Sequence, residues 1–277
     1  LAGLAAAAAW IFTRNYFRHS LDNSGELEAL GLPLFATITL VPGNSKSSKN
    51  SPIAISDPSN TVVEAFRGLR TGLKFSQSSA KSKKILITSS VPGQGKSFIS
   101  QNLAVVLAST GKKVLLVDAD MRRGALHKAF GQKLDEAGLS ASLAGIISFE
   151  DVLQATEVDS LKLIHRGKRP PNPAELLEDA KLLEFLNWAE NAFDFIIIDT
   201  PPVLAVADPI IIAQHDLITI VVARHLQTTA EEIEYTLRRL EMSGIKVSGA
   251  ILNGYDQKRS KYGAYSYKYG YYYGDYK

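Results

Sequence analysis

A glycine-rich segment, Gly93-Gln94-Gly95-Lys96-Ser97, has the residue types and spacing of a phosphate-binding loop. Glycines let backbone N–H groups approach phosphates, and a helix beginning after the loop adds the positive end of its dipole. Lys96 would reach the β- and γ-phosphates of a nucleotide, and Ser97 would bind Mg²⁺. Phe98 belongs to the same candidate nucleotide-binding segment. Ser90 stands where the strict pattern has glycine, so the surrounding strand and helix carry part of this prediction.

Three aspartates follow aliphatic runs that are predicted to be buried strands. Asp199 comes directly after three isoleucines, as a Walker B carboxylate does. Asp118 and Asp120 are two residues apart, which places both carboxylates on one face if the backbone is extended. Mg²⁺ prefers oxygen ligands, and repulsion between two buried acids favours a nearby cation. The alternative for this pair is a strand-end cap or an ion pair with Arg122 or Arg123.

Five aliphatic runs are predicted to form the strands that position these residues: 85–88, 114–117, 195–198, 217–222 and 247–252. Helical segments lie between them, and continuous aliphatic strands alternating with helices predict an α/β fold. Its central sheet would be mostly parallel with helices on both faces. Ligands of such sheets bind at the carboxyl ends of the strands, where the loop and the aspartates lie. Asn253, at the end of the last strand, is a candidate adenine contact.

Composition excludes several classes of protein. The 277 residues are 45% hydrophobic and 21% charged, which excludes a wholly disordered, collagen-like or polytopic membrane chain. Cysteine is absent, so the chain has no disulfide, thiolate metal ligand or cysteine nucleophile. The net charge of +3 is too small to indicate nucleic-acid binding. The five histidines show no metal-ligand spacing.

The chain divides by composition into four predicted parts. The apolar run at 1–12 is too short to span a bilayer, which takes about 20 residues. It is interpreted as the end of a truncated transmembrane helix, with an alanine-rich core helix as the alternative. Residues 13–60 are predicted to be a juxtamembrane segment and linker, 61–254 a globular domain, and 255–277 a flexible tail.

Tyrosine is concentrated in that tail, where eight of the eleven tyrosines occupy the last sixteen residues. They are Tyr262, Tyr265, Tyr267, Tyr269, Tyr271, Tyr272, Tyr273 and Tyr276. Fully extended, the tail reaches roughly 70 Å, so it can enter its own active site or a neighbour's. A nucleic-acid-binding aromatic tail is one interpretation of this clustering.

Several of these segments together resemble the bacterial tyrosine kinases. Residues 114–124 resemble the Walker A′ motif of that family, and Lys96 with Ser97 and residues 197–202 resemble its Walker A and Walker B motifs. Residues 64–70 match its E-x-x-R-x-x-R motif, and 167–177 are similar to another family segment. The resemblance covers about residues 20–277. Partition and septum-placement ATPases share the Walker motifs, but not the Glu-Arg-Arg motif combined with a tyrosine tail.

The resemblance implies a P-loop NTPase-like fold and an ATP- and Mg²⁺-dependent tyrosine autokinase acting in trans within an oligomeric ring. It also implies that the eight tail tyrosines are the phosphate acceptors. By analogy with the family, Asp118 is the expected base, while Asp120, Asp199 and Ser97 hold Mg²⁺; Asp118 and Asp120 could exchange roles. A regulatory ATPase of the partition type is the first alternative. A non-enzymatic scaffold is the second.

The resemblance also implies partners. Proteobacterial members of the family are inner-membrane polysaccharide co-polymerases with a cytoplasmic kinase, which control capsule or exopolysaccharide polymerisation and export. The expected partners are that machinery, an opposing tyrosine phosphatase and further copies of the chain, with no nucleic acid. Glu64, Arg67 and Arg70 lie along one helical face and are the expected subunit contact. From spacing alone, they form a solvated face with an internal Glu64–Arg67 pair.

Overall fold

A single eight-stranded sheet organises the computed structural model, which describes Gly3 and residues 20–41, 51–80, 82–135 and 137–260. The strand order is β1-β8-β7-β2-β6-β3-β5-β4, and every neighbouring pair is parallel except β4 with β5. The strands are β1 (Leu34–Thr39), β2 (Lys84–Ser89), β3 (Val114–Asp118), β4 (Gln154–Ala155), β5 (Leu161–Ile164), β6 (Phe195–Asp199), β7 (Ile218–Arg224) and β8 (Val247–Tyr255).

Helices cover both faces of this sheet. They are α1 (Ser24–Ala29), α2 (Ile53–Ser56), α3 (Thr61–Ala80), α4 (Lys96–Ala108), α5 (Leu126–Ala129), α6 (Leu139–Leu143), α7 (Pro173–Glu178), α8 (Ala180–Ala192), α9 (Asp208–Ala213) and α10 (Ala230–Glu241). In the described part of the chain, none of them is long and apolar enough to cross a membrane. The interpretation of 1–12 as a transmembrane end and the eight tail tyrosines lie outside the described residues, Gly3 excepted.

Two hydrophobic cores lie on opposite faces of the sheet, because successive strand side chains point to opposite sides. In β3, Leu115 and Val117 pack into the core under α6 to α10, whereas Val114 and Leu116 pack into the core under α2 to α5. All five β3 residues are buried. The predicted α/β fold with helices on both faces is confirmed, and each of the five predicted strands is present.

The structure extends the folded unit beyond its predicted start at residue 61. β1 pairs with β8 along five positions and forms an edge of the sheet. Residues 34–39, predicted to lie in the linker region, therefore belong to the domain. The polar stretch around 42–50 that suggested a linker lies outside the described residues.

The first and last described segments of the domain meet at His225, just after β7. The His225 Nε2 atom lies 3.0 Å from the Asp22 carbonyl oxygen, and the Nδ1 atom accepts a hydrogen bond from the Asp256 N–H at 3.2 Å. The Ser260 hydroxyl donates to the Asp22 carbonyl at 3.5 Å. Asp22, near the start of the described domain, and residues 256–260, at its end, therefore lie at one corner of the domain.

Candidate active site

The phosphate-binding loop is shaped by two glycines in left-handed backbone conformations. Gly93 has φ +84° and Gly95 has φ +92°, which residues with a Cβ rarely adopt. Gly95 caps α4, which begins at Lys96 as predicted. A Cβ on Gly95 would lie 2.0 Å from the Asn253 amide nitrogen, so both conformation and space require glycine.

Groups from β8, from the end of β7 and from the turn after β7 support this loop from the protein side. The Asn253 amide donates to the Gln94 carbonyl at 2.8 Å. The Gln94 Oε1 atom accepts hydrogen bonds from the Arg224 N–H, at 2.8 Å, and from the Thr228 hydroxyl. Gln94 and Asn253 are each 3% exposed. Direct contacts of these two side chains with a nucleotide stay predictions, whereas their support of the loop is observed.

Lys96 is buried beside acidic side chains. Burial lowers its pKa, while the charges of Asp199 and Asp120 oppose that shift. Asp199 lies opposite Asp118 in the register of β3 and β6, at the carboxyl ends of adjacent strands. Its carboxylate accepts hydrogen bonds from the Ser97 hydroxyl at 2.5 Å and from the Ser100 hydroxyl at 3.0 Å. The sequence motif did not identify Ser100, which lies one helical turn beyond Lys96.

Asp199 is fully enclosed, and this burial raises its pKa to about 6 despite the opposing hydrogen bond from Ser97 and the charge of Lys96. A buried, ionised carboxylate is unfavourable without enough nearby positive charge, so a bound cation would stabilise the ionised form of Asp199. Hydroxyl and carboxylate oxygens are the ligands that Mg²⁺ prefers. Ser97 and Asp199 therefore have the chemistry of a Mg²⁺ site completed by phosphate and water.

Asp118 is buried with one oxygen lacking a partner. Its Oδ2 atom accepts a hydrogen bond from the Leu126 N–H at 3.1 Å, but Oδ1 has no hydrogen-bond partner in the described structure. Burial, followed by the charge of Asp199, raises its pKa well above the ordinary value. A Cβ at position 124 would lie 2.1 Å from Oδ1, so Gly124 is required here. This unpartnered buried oxygen favours interaction with a cation or a proton donor.

Asp120 lies in the turn after β3, which ends at Asp118, so the predicted extended spacing does not apply. Its Oδ1 atom accepts hydrogen bonds from the backbone N–H groups of Arg122, at 3.2 Å, and Arg123, at 2.8 Å. The predicted alternative of a strand-end cap therefore describes part of its role. Asp120 nevertheless remains near enough to interact electrostatically with Lys96 and Asp199.

An ion pair that the sequence did not reveal fixes the same turn. The Arg122 guanidinium donates twice to the carboxylate of Asp208, with both distances 3.1 Å. Asp208 is fully buried at the start of α9, 86 residues away along the chain. The ion pair therefore holds the turn that carries Asp120 against the start of α9.

Phe98 and the predicted oligomer contact residues lie on the α3 side of the domain. Phe98 packs edge-on against Phe66, with ring centroids 5.9 Å apart, so its ring contributes to packing. A nucleotide contact by Phe98 stays a prediction. Glu64 and Arg67 form the internal ion pair anticipated from their spacing, while Arg70 donates to the Val106 carbonyl at 3.5 Å. Both members of the ion pair keep large exposed fractions, 65% and 39% of their side chains.

Comparison with known proteins agrees with this arrangement. A family model described as an AAA domain matches residues 82–242, more than half of the chain. The chain is 44% identical over 259 residues to the tyrosine-protein kinase Ptk of Acinetobacter johnsonii, covering 90% of this chain and 35% of that protein. It therefore spans about a third of the length of this curated relative.

Two solved structures share the fold. The kinase domain of the Escherichia coli tyrosine kinase Etk has a TM-score of 0.82 and 35% identity, covering 87% of this chain and 97% of that domain. The septum site-determining protein MinD of Pyrococcus horikoshii, solved with Mg-ADP, has a TM-score of 0.55 and 25% identity, covering 64% and 72%. The matches to Ptk and to the Etk kinase domain, together with the sheet-edge cluster of lysine and aspartates, show that the chain belongs to the bacterial tyrosine-protein kinase family.

Proposed function

We propose that this chain is the catalytic part of an ATP-dependent protein tyrosine autokinase that phosphorylates its own tyrosine-rich tail. The observation that carries the proposal is the cluster of buried Lys96, Asp118 and Asp199 at the phosphate-binding loop, where the Ser97 hydroxyl donates to Asp199, together with eight tyrosines clustered in the last sixteen residues. The match to tyrosine kinases favours an active kinase over a non-enzymatic scaffold.

Each residue of the loop and of the carboxyl ends of β3 and β6 has its own proposed role in phosphoryl transfer. The Lys96 ammonium would balance charge on the β- and γ-phosphates, and the backbone N–H groups of residues 93–97 would cradle them. Ser97, Asp199 and Asp120 would hold Mg²⁺, directly or through water. Bound there, Mg²⁺ would neutralise charge on the transferring phosphoryl group and lower the pKa values of the nearby carboxyl groups.

Asp118 is the proposed general base. A tyrosine hydroxyl has an ordinary pKa near 10, so at neutral pH it must lose its proton as the bond to phosphorus forms. The unpartnered Oδ1 atom of Asp118 is an acceptor without a competing hydrogen bond in the described part of the chain. Asp120 is the other candidate base, although two backbone N–H groups already occupy its Oδ1 atom.

The tail is the proposed substrate, and its charge suggests how phosphorylation acts on assembly. Residues 255–277 contain five Lys or Arg and two Asp, for a charge of +3. Each phosphate adds about −1.5 to −2, so two or three of them reverse the sign. Transfer in trans is favoured in an oligomer because a neighbour's tail is present at high effective concentration. Like-charged phosphorylated tails would then repel one another.

Incubation with ATP and Mg²⁺ tests the activity. We expect intact-mass spectrometry to show a ladder of phosphate additions, which peptide mapping places on the eight tail tyrosines. A variant with all eight changed to Phe keeps the aromatic rings and loses the acceptor hydroxyls, so it should gain no mass. The matched control is Tyr235→Phe on α10, which should retain the full ladder. Steady phosphate release without protein phosphorylation would instead support a regulatory ATPase, the activity class that the likeness to MinD keeps as the second candidate.

Glu64, Arg67 and Arg70 are the proposed contact between subunits. Arginine forks suit carboxylates across an interface, and Arg67 can exchange its internal partner for one on another copy. We expect the double variant Arg67→Ala plus Arg70→Ala to form smaller assemblies in analytical ultracentrifugation, because the contact loses two cations. Arg238→Ala plus Arg239→Ala removes the same charge from α10 and should leave assembly size unchanged. An identical size distribution for the first variant and the wild type would contradict this contact.

The longer protein is proposed to act at the inner membrane, with this portion on the cytoplasmic side. Its proposed partners are the capsule or exopolysaccharide polymerisation and export machinery and a cognate tyrosine phosphatase. Support comes from family membership and from the length of Ptk, of which this chain covers 35%.

A further inference from the structure

A pocket of about 690 Å³, within the size range of pockets that bind small ligands, lies between α6, α7 and the segment that follows β5. Its lining includes the apolar side chains of Ala144, Ile146 and Leu176. Charged side chains of both signs, such as Arg169 and Glu175, line it as well. Ile146 is 76% exposed, although its side chain is large and aliphatic. Apolar surface next to polar groups suits a side chain with an apolar body and a polar tip, which is the character of tyrosine.

Hydrogen bonds tie this pocket to the turn that covers the proposed base. The Ser140 N–H donates to the Arg166 carbonyl at 3.1 Å, and the Ser140 hydroxyl donates to the Lys168 carbonyl at 2.6 Å. The Arg166 Nε atom donates to the Gly124 carbonyl at 3.0 Å. Gly124 lies directly against Asp118, since a Cβ there would be 2.1 Å from Oδ1. Because β5 pairs with β3, the pocket lies on the far side of Asp118 from the phosphate-binding loop.

The tail begins on the opposite side of the same site. Ser260, the last described residue, lies near Asp22 at the carboxyl ends of β7 and β8. From β8 the strand order runs through β7, β2, β6 and β3 to β5, so the phosphate-binding loop, Asp199 and Asp118 lie between the start of the tail and the pocket. Neighbouring strands are about 4.8 Å apart, so these steps span roughly 24 Å. Residues 261–277 reach roughly 55 to 60 Å when extended, which is enough to cross the site and enter the pocket.

Tyrosines recur at every second position in the middle of the tail. They are Tyr265, Tyr267, Tyr269, Tyr271 and Tyr273. In an extended peptide, alternate side chains lie on the same side, about 6.6 to 6.8 Å apart. When one of these hydroxyls is at Asp118, further rings therefore lie on the same side of the peptide and are available to the pocket.

We propose that the pocket binds the ring of one tail tyrosine while another tail tyrosine is phosphorylated beside Asp118. The inference rests on the proposed function, because its occupant is the proposed substrate. A neighbour's tail that enters the site meets the same pocket, since the pocket and Asp118 belong to one chain. Each tyrosine of the cluster then has two uses, as the acceptor in one binding mode and as the anchor in another.

Two synthetic peptides test this inference on the full chain with its eight tail tyrosines changed to Ala, so that its own tail offers neither acceptor nor ring. Both peptides span residues 261–277 and keep Tyr269 as their one acceptor. The other seven tyrosines are changed to Phe in the ring peptide and to Ala in the ringless peptide. We expect the ring peptide to have a KM about tenfold lower at a similar kcat, because an anchored ring buries apolar surface.

Filling the pocket should remove this difference. Ala144→Trp places a large side chain in the pocket from an exposed position, so it should raise the KM of the ring peptide about tenfold. The KM values of the ringless peptide and of ATP should stay unchanged. Ala192→Trp is the matched control, because Ala192 is exposed at the end of α8, near the amino end of β6. This control should keep the tenfold difference between the peptides.

Other results would overturn the inference. Equal KM values for the two peptides would show that no ring is anchored, and a difference that persists in Ala144→Trp would place the rings elsewhere. A changed assembly size in that variant, with the difference kept, would make the pocket a contact between copies. If Ala144→Trp is unstable, Ile146→Ser truncates an exposed side chain and should still narrow the difference. Absence of transfer to either peptide and to the natural tail would instead overturn the proposed kinase activity, which separates the two failures.

Discussion

Lys96→Met should reduce tail phosphorylation at least about a hundredfold. The ammonium of Lys96 is buried next to Asp199 and Asp120, so no solvent cation can easily replace it. Methionine has a similar length and fills the same space, but it leaves the phosphates without a balancing charge. The aliphatic contacts of the side chain at the start of α4 are retained, so we expect the fold to persist.

Intact-mass spectrometry after incubation with ATP and Mg²⁺ measures this loss, and circular dichroism checks the fold. Lys112→Met is the matched control, since Lys112 is exposed in the turn between α4 and β3 and pairs only with Asp194, 3.8 Å away. The control should keep the full phosphate ladder. Undiminished phosphorylation by the Lys96 variant would show that the transfer takes place elsewhere.

Asp199→Asn should abolish phosphorylation and yet stabilise the protein free of metal and nucleotide. Burial raises the pKa of Asp199 from its ordinary 3.8 to about 6. The folded state therefore binds this proton more tightly than the unfolded state, and stability falls as the pH rises from about 4 through 6. Above that window the buried charge costs about 2 to 3 kcal/mol. Asparagine carries no charge, so it avoids this cost while its amide can still pair with the Ser97 and Ser100 hydroxyls.

Urea unfolding in EDTA at pH 5 and pH 8 measures the effect. The wild type should lose stability between these pH values, and the asparagine variant should lose less and be the more stable protein at pH 8. Asp159→Asn removes an exposed carboxylate and should change neither stability nor its pH dependence. A variant less stable than the wild type at both pH values would show that the negative charge itself supports the fold. In the expected pattern, the proposed metal-binding carboxylate of Asp199 lowers the stability of the metal-free protein.

Local patterns in the sequence reveal the centre of the sheet but not its edges. β2, β3 and β6 are continuous aliphatic runs because both faces of each strand are buried. β1 and β5 do not show that pattern. β1 is mostly half-buried at the sheet edge, and β5 has only four residues, one of them a lysine. Neither strand carries the long apolar signature of a central strand.

Sequence patterns likewise reveal some residues of the candidate site and miss others. Lys96, Ser97 and Asp199 are recognisable because each stands at a fixed position beside its own strand or helix. The Arg122–Asp208 pair and the Arg224–Gln94 contact join positions 86 and 130 residues apart, so no local pattern contains them. The prediction that Asp118 and Asp120 share one face assumes an extended backbone at both residues. The strand ends at Asp118, so that assumption does not hold for Asp120.

The corner at His225, where the Ser260 hydroxyl reaches the carbonyl of Asp22, brings the two ends of the described domain side by side. A short linker could join them without crossing the sheet, and new ends could be opened at an exposed turn on the far side. In a longer protein the same geometry lets the domain be inserted or removed as a unit. It also places Ser260, the last described residue before the tyrosine-rich segment in the sequence, beside Asp22 at the start of the described domain.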